Sequence, residues 1–249
     1  MTRNAIVTGS ASGIGAATVL ELARLGYSTA GIDINHAGAQ ATSELANAQS
    51  SKLGKHCAIA ADVSDEAALS AAISQAAKWL GGLNALVTCA GSAQTTPFME
   101  LSADDFRRMH EVNVIGTFVA IREAANYMPA GSRICTVASV AGLRGGGLMG
   151  TAAYAASKGA VLALTKNAAR SLAARGISVN CIAPGATLTP MIADAWQNTS
   201  LRATVEGMSA QNRTAHPEEI ARTIAYLLSD AASYVNGATL VADGGLAMY

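Results

Sequence analysis

Tyr154 and Lys158 are the two residues whose types and spacing could do acid–base chemistry. They lie four positions apart in an alanine-rich stretch typical of a helix, and residues at this separation share one helix face. The two side chains can therefore point into the same cleft. A tyrosine hydroxyl has an ordinary pKa of about 10, and a neighbouring positive charge lowers it toward the range of a general acid or base. Such a pair also arises by chance, so its chemistry depends on what the rest of the chain places beside it.

Composition restricts the class of protein. The chain has 249 residues, of which 51% are hydrophobic, so it can bury a sizeable core. Only 14% of the residues are charged and the formal net charge is zero, whereas nucleic-acid binding needs clustered lysine and arginine. We therefore expect a single domain over residues 1–249 that binds a small molecule and no nucleic acid.

The cysteines and the hydropathy pattern bear on the compartment. The four cysteines have no C-x-x-C spacing, which predicts free thiols, a reducing compartment and no metal site: Cys57, Cys89, Cys135 and Cys181. The first residues lead into an apolar strand without a basic leader, and no apolar run approaches the roughly 20 residues of a membrane helix. These features predict a cytoplasmic protein that does not associate with a membrane.

A glycine-rich turn near the N-terminus has the form of a phosphate-binding loop. An apolar strand is expected at 4–8, and the turn at 9–15 leads into a helix at 16–25. Glycines allow close backbone approach, and a helix N-terminus attracts an anion. The turn therefore predicts a dinucleotide-binding site that includes Gly9, Ser12, Gly13, Ile14 and Gly15.

Asp33 follows the second predicted strand, 28–32. It lies about 20 residues beyond the glycine-rich turn, where dinucleotide-binding folds place a ribose-binding carboxylate. A carboxylate there accepts hydrogen bonds from the ribose hydroxyls and repels a 2′-phosphate. No lysine or arginine occurs at 10–12 or next to Asp33 to reverse that preference. The sequence therefore predicts NAD as the cofactor rather than NADP.

Strand and helix patterns alternate along the whole chain. Strands are expected at 4–8, 28–32, 56–60, 83–88, 133–138, 177–182 and 239–242, and helices at 16–25, 65–80, 102–127, 152–175 and 217–229. This alternation predicts one Rossmann-type, doubly wound parallel sheet of about seven strands, an α/β fold with helices on both faces. Ligands of such folds bind beyond the carboxyl ends of the strands. Ser139 ends one strand and Tyr154 begins the next helix, so the two can meet there.

Taken together, these motifs resemble those of the classical short-chain dehydrogenases/reductases, and the resemblance runs from end to end of the chain. It rests on Thr8-Gly9-x-x-x-Gly13-x-Gly15, Asp62, Asn113 in Asn113-Val114-Ile115-Gly116, Ser139, Tyr154-x-x-x-Lys158 and Pro184-Gly185. Each motif alone is weak, but their joint occurrence in this order is specific. The resemblance implies an oxidoreductase with a nicotinamide cofactor, assembled as a homotetramer.

The resemblance also implies a role for each matching residue. Tyr154 would exchange a proton with the substrate oxygen, which Ser139 would hydrogen-bond. Lys158 would lower the pKa of Tyr154 and hold the nicotinamide ribose, and Asn113 would keep a water molecule in a proton relay behind Lys158. The remaining cofactor contacts would come from Asp33, Asp62, Val63, Ala90, Gly91, Pro184, Gly185, Thr187 and Thr189.

The chain departs from the family pattern in two places. Thr88-Cys89-Ala90-Gly91 stands where the family usually has Asn-Asn-Ala-Gly, so the contact made by those asparagines is expected to change. Ser139 and Tyr154 are 15 positions apart, more than is usual. The extra length is expected in a glycine-rich loop at 143–149 that borders the substrate.

The substrate pocket is expected under a lid at about 186–213, the longest stretch without a predicted strand. Its candidate wall residues are Leu143, Arg144, Met149, Leu188, Met191 and Trp196, together with Ile192 and Met208. The apolar members predict a small to medium hydrophobic alcohol or ketone. As an alternative, Arg144, Arg202 or Arg213 would pair with an anionic group of the substrate.

Three functions remain open from the sequence. The first is an NAD-dependent enzyme that interconverts a secondary alcohol and a ketone by hydride transfer, with Tyr154 as general acid/base. The second is a reductase of 3-oxoacyl chains on a carrier protein, which is disfavoured because the glycine loop lacks a basic residue for a 2′-phosphate. The third is a non-catalytic NAD-binding regulator, which the complete catalytic set disfavours: Asn113, Ser139, Tyr154 and Lys158.

Overall fold

Seven parallel strands form the centre of the computed structural model, which describes residues 3–49, 54–146 and 151–248. Within these ranges the strands are β1 (Asn4–Thr8), β2 (Ser28–Asp33), β3 (His56–Ala60), β4 (Ala85–Thr88), β5 (Arg133–Val137), β6 (Ser178–Pro184) and β7 (Thr239–Ala242). Their order across the sheet is β3-β2-β1-β4-β5-β6-β7. The predicted doubly wound α/β fold is confirmed.

The point where the strand order reverses determines where a ligand can bind. The chain builds outward from β1 to β3, then returns to place β4 on the other side of β1. Thr8 pairs with Thr88 at the carboxyl ends of these two strands. A crevice opens at such a switch point because the connections that leave the two strands diverge to opposite sides of the sheet.

The helices of the described residues have these bounds: α1 (Gly13–Arg24), α2 (His36–Gln49), α3 (Glu66–Leu80), α4 (Ala103–His110), α5 (Gly116–Ala125), α6 (Val140–Arg144), α7 (Ala152–Ala173), α8 (Ala193–Trp196), α9 (Thr199–Gly207) and α10 (Pro217–Leu227). Local sequence determines several of their ends. At the start of α3, the Asp65 carboxylate accepts a hydrogen bond from the Ala68 N–H at 3.0 Å, and Gly81 ends that helix in the left-handed conformation.

Side chains of β1 alternate between two cores, one on each face of the sheet. Ile6 packs into the cluster that contains Leu86, whereas Val7 packs into the opposite cluster with Val19 and Ile224. This alternation follows from the two-residue period of a strand. Because helices cover both faces, the strands need apolar residues on both sides, and they therefore read as continuous apolar runs.

Helix α2 was not expected from the sequence. Its buried residues are small, and they produce only a weak apolar pattern: Ala39, Thr42, Ser43 and Ala46. The region predicted as one helix at 102–127 is instead divided into α4, a π-helix at Glu111–Ile115 and α5. Asn113 lies within this π-helix, so the interruption is at a predicted site residue.

Helical segments also occur in the two regions expected to border the substrate. The loop expected at 143–149 begins inside α6, and its residues 147–149 lie outside the described part of the chain. The predicted lid segment contains a 3₁₀ helix at Pro190–Ile192, followed by α8 and α9. Across the described ranges, every helix is too short or too polar to span a bilayer.

Candidate active site

The glycine-rich turn after β1 is shaped for a close ligand. Gly9 has a φ of 71°, and a Cβ there would lie 2.6 Å from the Ala90 nitrogen, while a Cβ on Gly15 would overlap the Gly9 carbonyl oxygen. Only glycine fits these two positions. Ser12 begins α1 without a side-chain capping bond and the first turn has no acidic residue. The first N–H groups of α1 therefore remain available for an anion such as a pyrophosphate.

A cleft of about 1180 Å³ begins at this turn and runs along the carboxyl ends of the strands. Its size exceeds that of most small-ligand pockets, as a dinucleotide together with a substrate requires. The predicted cofactor residues all line the cleft: Gly9, Ser12, Gly13, Ile14, Gly15, Asp33, Asp62, Val63, Ala90, Gly91, Tyr154, Lys158, Pro184, Gly185, Thr187 and Thr189. These residues therefore fit a nicotinamide dinucleotide.

Asp33 is held at the end of β2 with its carboxylate toward the cleft. One carboxylate oxygen accepts the Ala11 N–H at 2.9 Å and the other accepts the Asn35 N–H at 2.8 Å. A carboxylate can accept about four hydrogen bonds, so capacity remains for ribose hydroxyls. The basic residues that line the described cleft are Arg144, Lys158 and Arg213, and none belongs to the glycine-rich turn, β2 or α2.

Asn113 is fully buried behind the cleft and does not line it. Its side-chain amide donates to the Ser92 carbonyl at 3.0 Å and to the Ser157 hydroxyl at 2.9 Å. Its side-chain oxygen accepts the Ser92 N–H at 2.9 Å, and its backbone carbonyl accepts the Thr117 hydroxyl at 2.9 Å. Asn113 therefore connects the segment after β4 to α7, and the water relay assigned to it stays a prediction.

Ser139, Tyr154 and Lys158 come together at the centre of the cleft. Ser139 begins α6, where its hydroxyl accepts the Ala141 N–H at 3.1 Å. The Lys158 ammonium is buried and donates to the carbonyl of Val137 at 2.9 Å. It lies 5.8 Å from the centre of the Tyr154 ring. Helix α7 thus carries both Tyr154 and Lys158, and the end of β5 holds the Lys158 ammonium through the Val137 carbonyl.

Burial shifts the pKa of both members of the pair. The pKa of Lys158 falls to about 8 because burial disfavours the ammonium. The pKa of Tyr154 is raised because burial disfavours the phenolate, and a hydrogen bond with Ser139 opposes this only in part. The expected lowering of the Tyr154 pKa by Lys158 is therefore not found: burial of the phenol dominates, and the effect that opposes it comes from Ser139 rather than from Lys158.

Cys89 replaces a family asparagine beside the glycine-rich turn. Its side chain lines the cleft and packs against the core on that face. Burial raises the pKa of the Cys89 thiol to about 12, so the thiol stays protonated and acts as a small apolar group. The next residue is held by another contact, since the Ala90 N–H donates to the Thr8 hydroxyl at 3.2 Å.

The predicted pocket walls divide into two groups. Arg144 and Met191 line the cleft, as do Ile192 and Met208. Leu143, Leu188 and Trp196 do not line the cleft as described, and Leu143 instead packs against a small buried cluster beside α7. Met149 lies outside the described residues.

Two of the three arginines considered for an anionic substrate already have partners. Arg213 makes two hydrogen bonds to the Glu219 carboxylate at 2.7 and 2.8 Å, and Arg202 bonds Glu206 at 3.0 Å. Arg144 is therefore the candidate that remains.

Gln94 lines the cleft but was not among the predicted residues. It lies in the segment without helix or strand that follows Gly91. The position of that segment after a strand end was the available signal. The sequence could not show that this side chain turns toward the cleft.

The comparisons with known proteins agree with this geometry. A family model described as "Enoyl-(Acyl carrier protein) reductase" matches residues 9–247. A cis-4-hydroxycyclohexanecarboxylate dehydrogenase from Sinomonas cyclohexanicum is 38% identical, over 98% of this chain and 96% of the relative. A D-threitol dehydrogenase from Mycolicibacterium smegmatis is 37% identical, over 97% of this chain and 91% of the relative.

Solved structures show the same likeness. A short-chain dehydrogenase/reductase from Serratia marcescens superimposes with a TM-score of 0.91 at 38% identity, covering 99% of this chain and 98% of that one. A short-chain dehydrogenase from Burkholderia cenocepacia in complex with NADP superimposes with a TM-score of 0.88 at 32% identity, covering 98% of this chain and 97% of that one. The chain belongs to the classical short-chain dehydrogenase/reductase family of oxidoreductases.

Proposed function

We propose that the protein is an NAD-dependent oxidoreductase that interconverts a secondary alcohol and a ketone. The observation that carries this proposal is the convergence of Ser139, Tyr154 and Lys158 in the same cleft as the glycine-rich turn. Hydride transfer at carbon must be matched by proton transfer at oxygen, so one substrate oxygen needs both a hydrogen-bond donor and an acid/base. The cleft offers both beside a cofactor cradle.

Tyr154, Ser139 and Lys158 have separate roles in the proposed reaction. The bound nicotinamide supplies the hydride chemistry. In reduction, the Tyr154 hydroxyl gives its proton to the substrate oxygen, which accepts a second hydrogen bond from Ser139; in oxidation the proton moves back. Burial favours the protonated phenol because it raises the pKa of Tyr154, which suits proton donation. Lys158 keeps its ammonium near the phenolate that remains, held there by the Val137 carbonyl.

The preference for NAD over NADP rests on Asp33. Its carboxylate is oriented by two backbone N–H groups, and a 2′-phosphate beside it would meet a like charge. Two similar solved structures hold the phosphorylated cofactor instead, NADP in the one from Burkholderia cenocepacia and NADPH in a blue fluorescent protein from a metagenomic library. Initial rates with NAD and NADP over a range of concentrations test the proposal, and a higher kcat/KM with NADP would contradict it.

The substrate we propose is small to medium in size with a mainly apolar body. Met191, Ile192 and Met208 belong to the lid at about 186–213 and line the cleft. The similar dehydrogenases from Sinomonas cyclohexanicum and Mycolicibacterium smegmatis act, by their names, on a hydroxycyclohexanecarboxylate and on threitol. A ring or short chain that carries a secondary alcohol is therefore the first class to test.

A panel of cyclic and open-chain secondary alcohols with NAD, and of the matching ketones with NADH, tests this activity through absorbance of the reduced cofactor. Turnover of at least one pair is the expected result. Absence of turnover with every pair, while NAD still binds, would favour a non-catalytic NAD-binding regulator instead.

A reductase of 3-oxoacyl chains is the second candidate, and it is favoured by the similarity to a 3-oxoacyl-[acyl-carrier-protein] reductase from Staphylococcus aureus, which is 34% identical over 100% of this chain and 99% of the relative. Such a substrate carries a long carrier arm that must leave the cleft past the lid. A 3-oxoacyl thioester added to the same panel distinguishes the two. If the thioester has a far higher kcat/KM than any simple ketone, the second candidate is correct.

We also propose a cytoplasmic homotetramer. Large apolar side chains are partly exposed on α4 and α5 and the π-helix between them, and they would be buried between subunits: Phe106, Ile115 and Phe118. The described cysteines are all free thiols, which suits a reducing compartment. Light scattering after size exclusion tests the assembly, and a monomer at micromolar concentration would contradict it.

A further inference from the structure

Gln94 places an unused hydrogen-bond donor in the wall of the cleft. The residue lines the cleft, and its side-chain nitrogen, Nε2, is buried without a hydrogen-bond partner in the part of the chain that the structure describes. A buried amide N–H without a partner is unfavourable and rare in folded proteins. Such a group calls for an acceptor, and a substrate in the cleft can supply one.

The backbone around Gln94 is fixed at two points. Ser92 exchanges two hydrogen bonds with the Asn113 side chain. The Gln94 carbonyl accepts the Thr151 hydroxyl at 3.3 Å. Thr151 immediately precedes α7 and lies three positions before Tyr154. It is therefore about one helical turn from Tyr154, which carries the catalytic hydroxyl. Gln94 is thus held close to the reacting centre.

The charges of the cleft favour an acceptor on the substrate. The Asp243 carboxylate accepts the N–H groups of Gly245 and Ala247 at 2.9 and 2.7 Å, and Glu219 is paired with Arg213. Each of these two carboxylates thus already has a partner within the protein. Gln94 and Arg144 are donors that line the cleft without an ion pair or side-chain partner among the described residues. The terminal amide torsion of glutamine is soft, so Gln94 can turn its N–H groups toward a ligand.

We propose that Gln94 is a specificity-determining residue whose side-chain amide donates a hydrogen bond to a second oxygen of the substrate, separate from the oxygen that is oxidised or reduced. The preferred substrates are then alcohols and ketones with an apolar body and one distant hydroxyl or carboxylate. This inference rests on the proposed interconversion of alcohols and ketones at the same site.

Matched ketones separate the polar contact from the reaction itself. The first pair is 4-hydroxycyclohexanone and 4-methylcyclohexanone, and the second is 4-oxocyclohexanecarboxylate and 4-isopropylcyclohexanone. Within each pair the size is similar; the first pair loses a hydroxyl group, and the second loses a carboxylate together with its charge. We expect the Q94L variant to lose about tenfold in kcat/KM for the polar member, mainly through KM, and to leave the apolar member unchanged.

The Q94E variant distinguishes a hydroxyl from a carboxylate ligand. A glutamate can accept a hydrogen bond from a substrate hydroxyl, so the hydroxyketone should lose less than it does with Q94L. It repels a carboxylate, so the ketoacid should lose more. Q75L is the matched control, because Gln75 is exposed on α3 and does not line the cleft; it should match the wild type with all four ketones.

Binding gives a readout that does not depend on turnover. Calorimetry in a Tyr154→Phe background, with NAD present, should show about tenfold weaker binding of the polar ketones when Gln94 is also changed to leucine. If the wild type turns over no ketone but this difference remains, the proposed function fails and the role of Gln94 stands. If Q94L affects polar and apolar ketones equally in both measurements, the role of Gln94 is refuted.

Discussion

The Asn113 side chain and the Ser92 backbone exchange two hydrogen bonds, and the same Asn113 amide donates to Ser157. The Ser157 hydroxyl in turn donates to the Tyr154 carbonyl at 2.8 Å. One buried amide therefore holds the loop after β4 against the first turns of α7. The position of Tyr154 in the cleft depends on this contact.

Removing the Asn113 side chain should destabilise the fold and displace the catalytic helix. In Asn113→Ala, the Ser92 N–H and carbonyl both lose their buried partner, so we expect a loss of about 2–3 kcal/mol in the free energy of unfolding. Urea titration measures this loss. Asn167→Ala on the exposed side of α7 is the control and should change stability by less than about 0.5 kcal/mol. Equal stability of the two variants would contradict the bracing role.

The strands and the catalytic positions could be predicted because short-range patterns encode them. Val7 and Val87 belong to apolar runs that only a sheet covered on both faces explains. Gly9 and Gly15 occupy positions where a Cβ would collide with the backbone. The apolar runs and the glycine motif can be recognised from a simple period or from residues close in the sequence, although the atoms that a Cβ on Gly9 would meet belong to Cys89 and Ala90.

Other features depend on contacts between distant parts of the chain. Helix α2 buries small residues such as Ala39 and Ala46, so its apolar sequence pattern is weak. The face that these residues form becomes evident only in the folded protein, where β3 packs against the helix. The raised pKa of Tyr154 results from its burial in the folded protein, whereas the sequence shows only that a lysine lies four positions away. The backbone of Gln94 is held by Thr151, 57 positions later.

Asp33 should determine the choice between the two nicotinamide dinucleotides. Asp33→Ser removes the negative charge that a 2′-phosphate would meet, so we expect the ratio of kcat/KM for NAD to that for NADP to fall at least about tenfold. Asp62→Asn is the control, since Asp62 also lines the cleft but follows β3; it should affect both cofactors alike. An unchanged ratio in Asp33→Ser would show that another residue makes the choice.

Tyr154→Phe should abolish turnover and leave cofactor binding intact. The phenylalanine ring keeps the packing but has no proton to exchange, and loss of a general acid/base costs about 10²–10⁴ in rate. Fluorescence titration with NADH should give a dissociation constant near that of the wild type. In Tyr127→Phe, the change removes a hydrogen bond to Ser74 away from the cleft, and activity should persist. A near-normal rate in Tyr154→Phe would refute the assignment.

Lys158 should make stability depend on pH in the alkaline range. Its pKa in the folded protein is about 8, below the ordinary value of 10.5. Between these values the unfolded chain binds more protons than the folded chain, so the free energy of unfolding rises with pH. The full gain from this group is about 3 kcal/mol. Below pH 8 both states carry the proton, and the folded protein bears the whole cost of the buried charge.

Replacing Lys158 with methionine removes both this cost and its pH dependence. The free energy of unfolding of the wild type, relative to Lys158→Met, should therefore be constant from about pH 6 to 7 and should increase as the pH rises from 8 toward 10.5. Urea titrations in reducing buffer at several pH values measure the difference. The control is Lys166→Met, at an exposed position of the same helix. Its free energy of unfolding should depend on pH in the same way as that of the wild type. If the free energies of unfolding of Lys158→Met and of the wild type change with pH in parallel across the alkaline range, the ammonium of Lys158 is not desolvated.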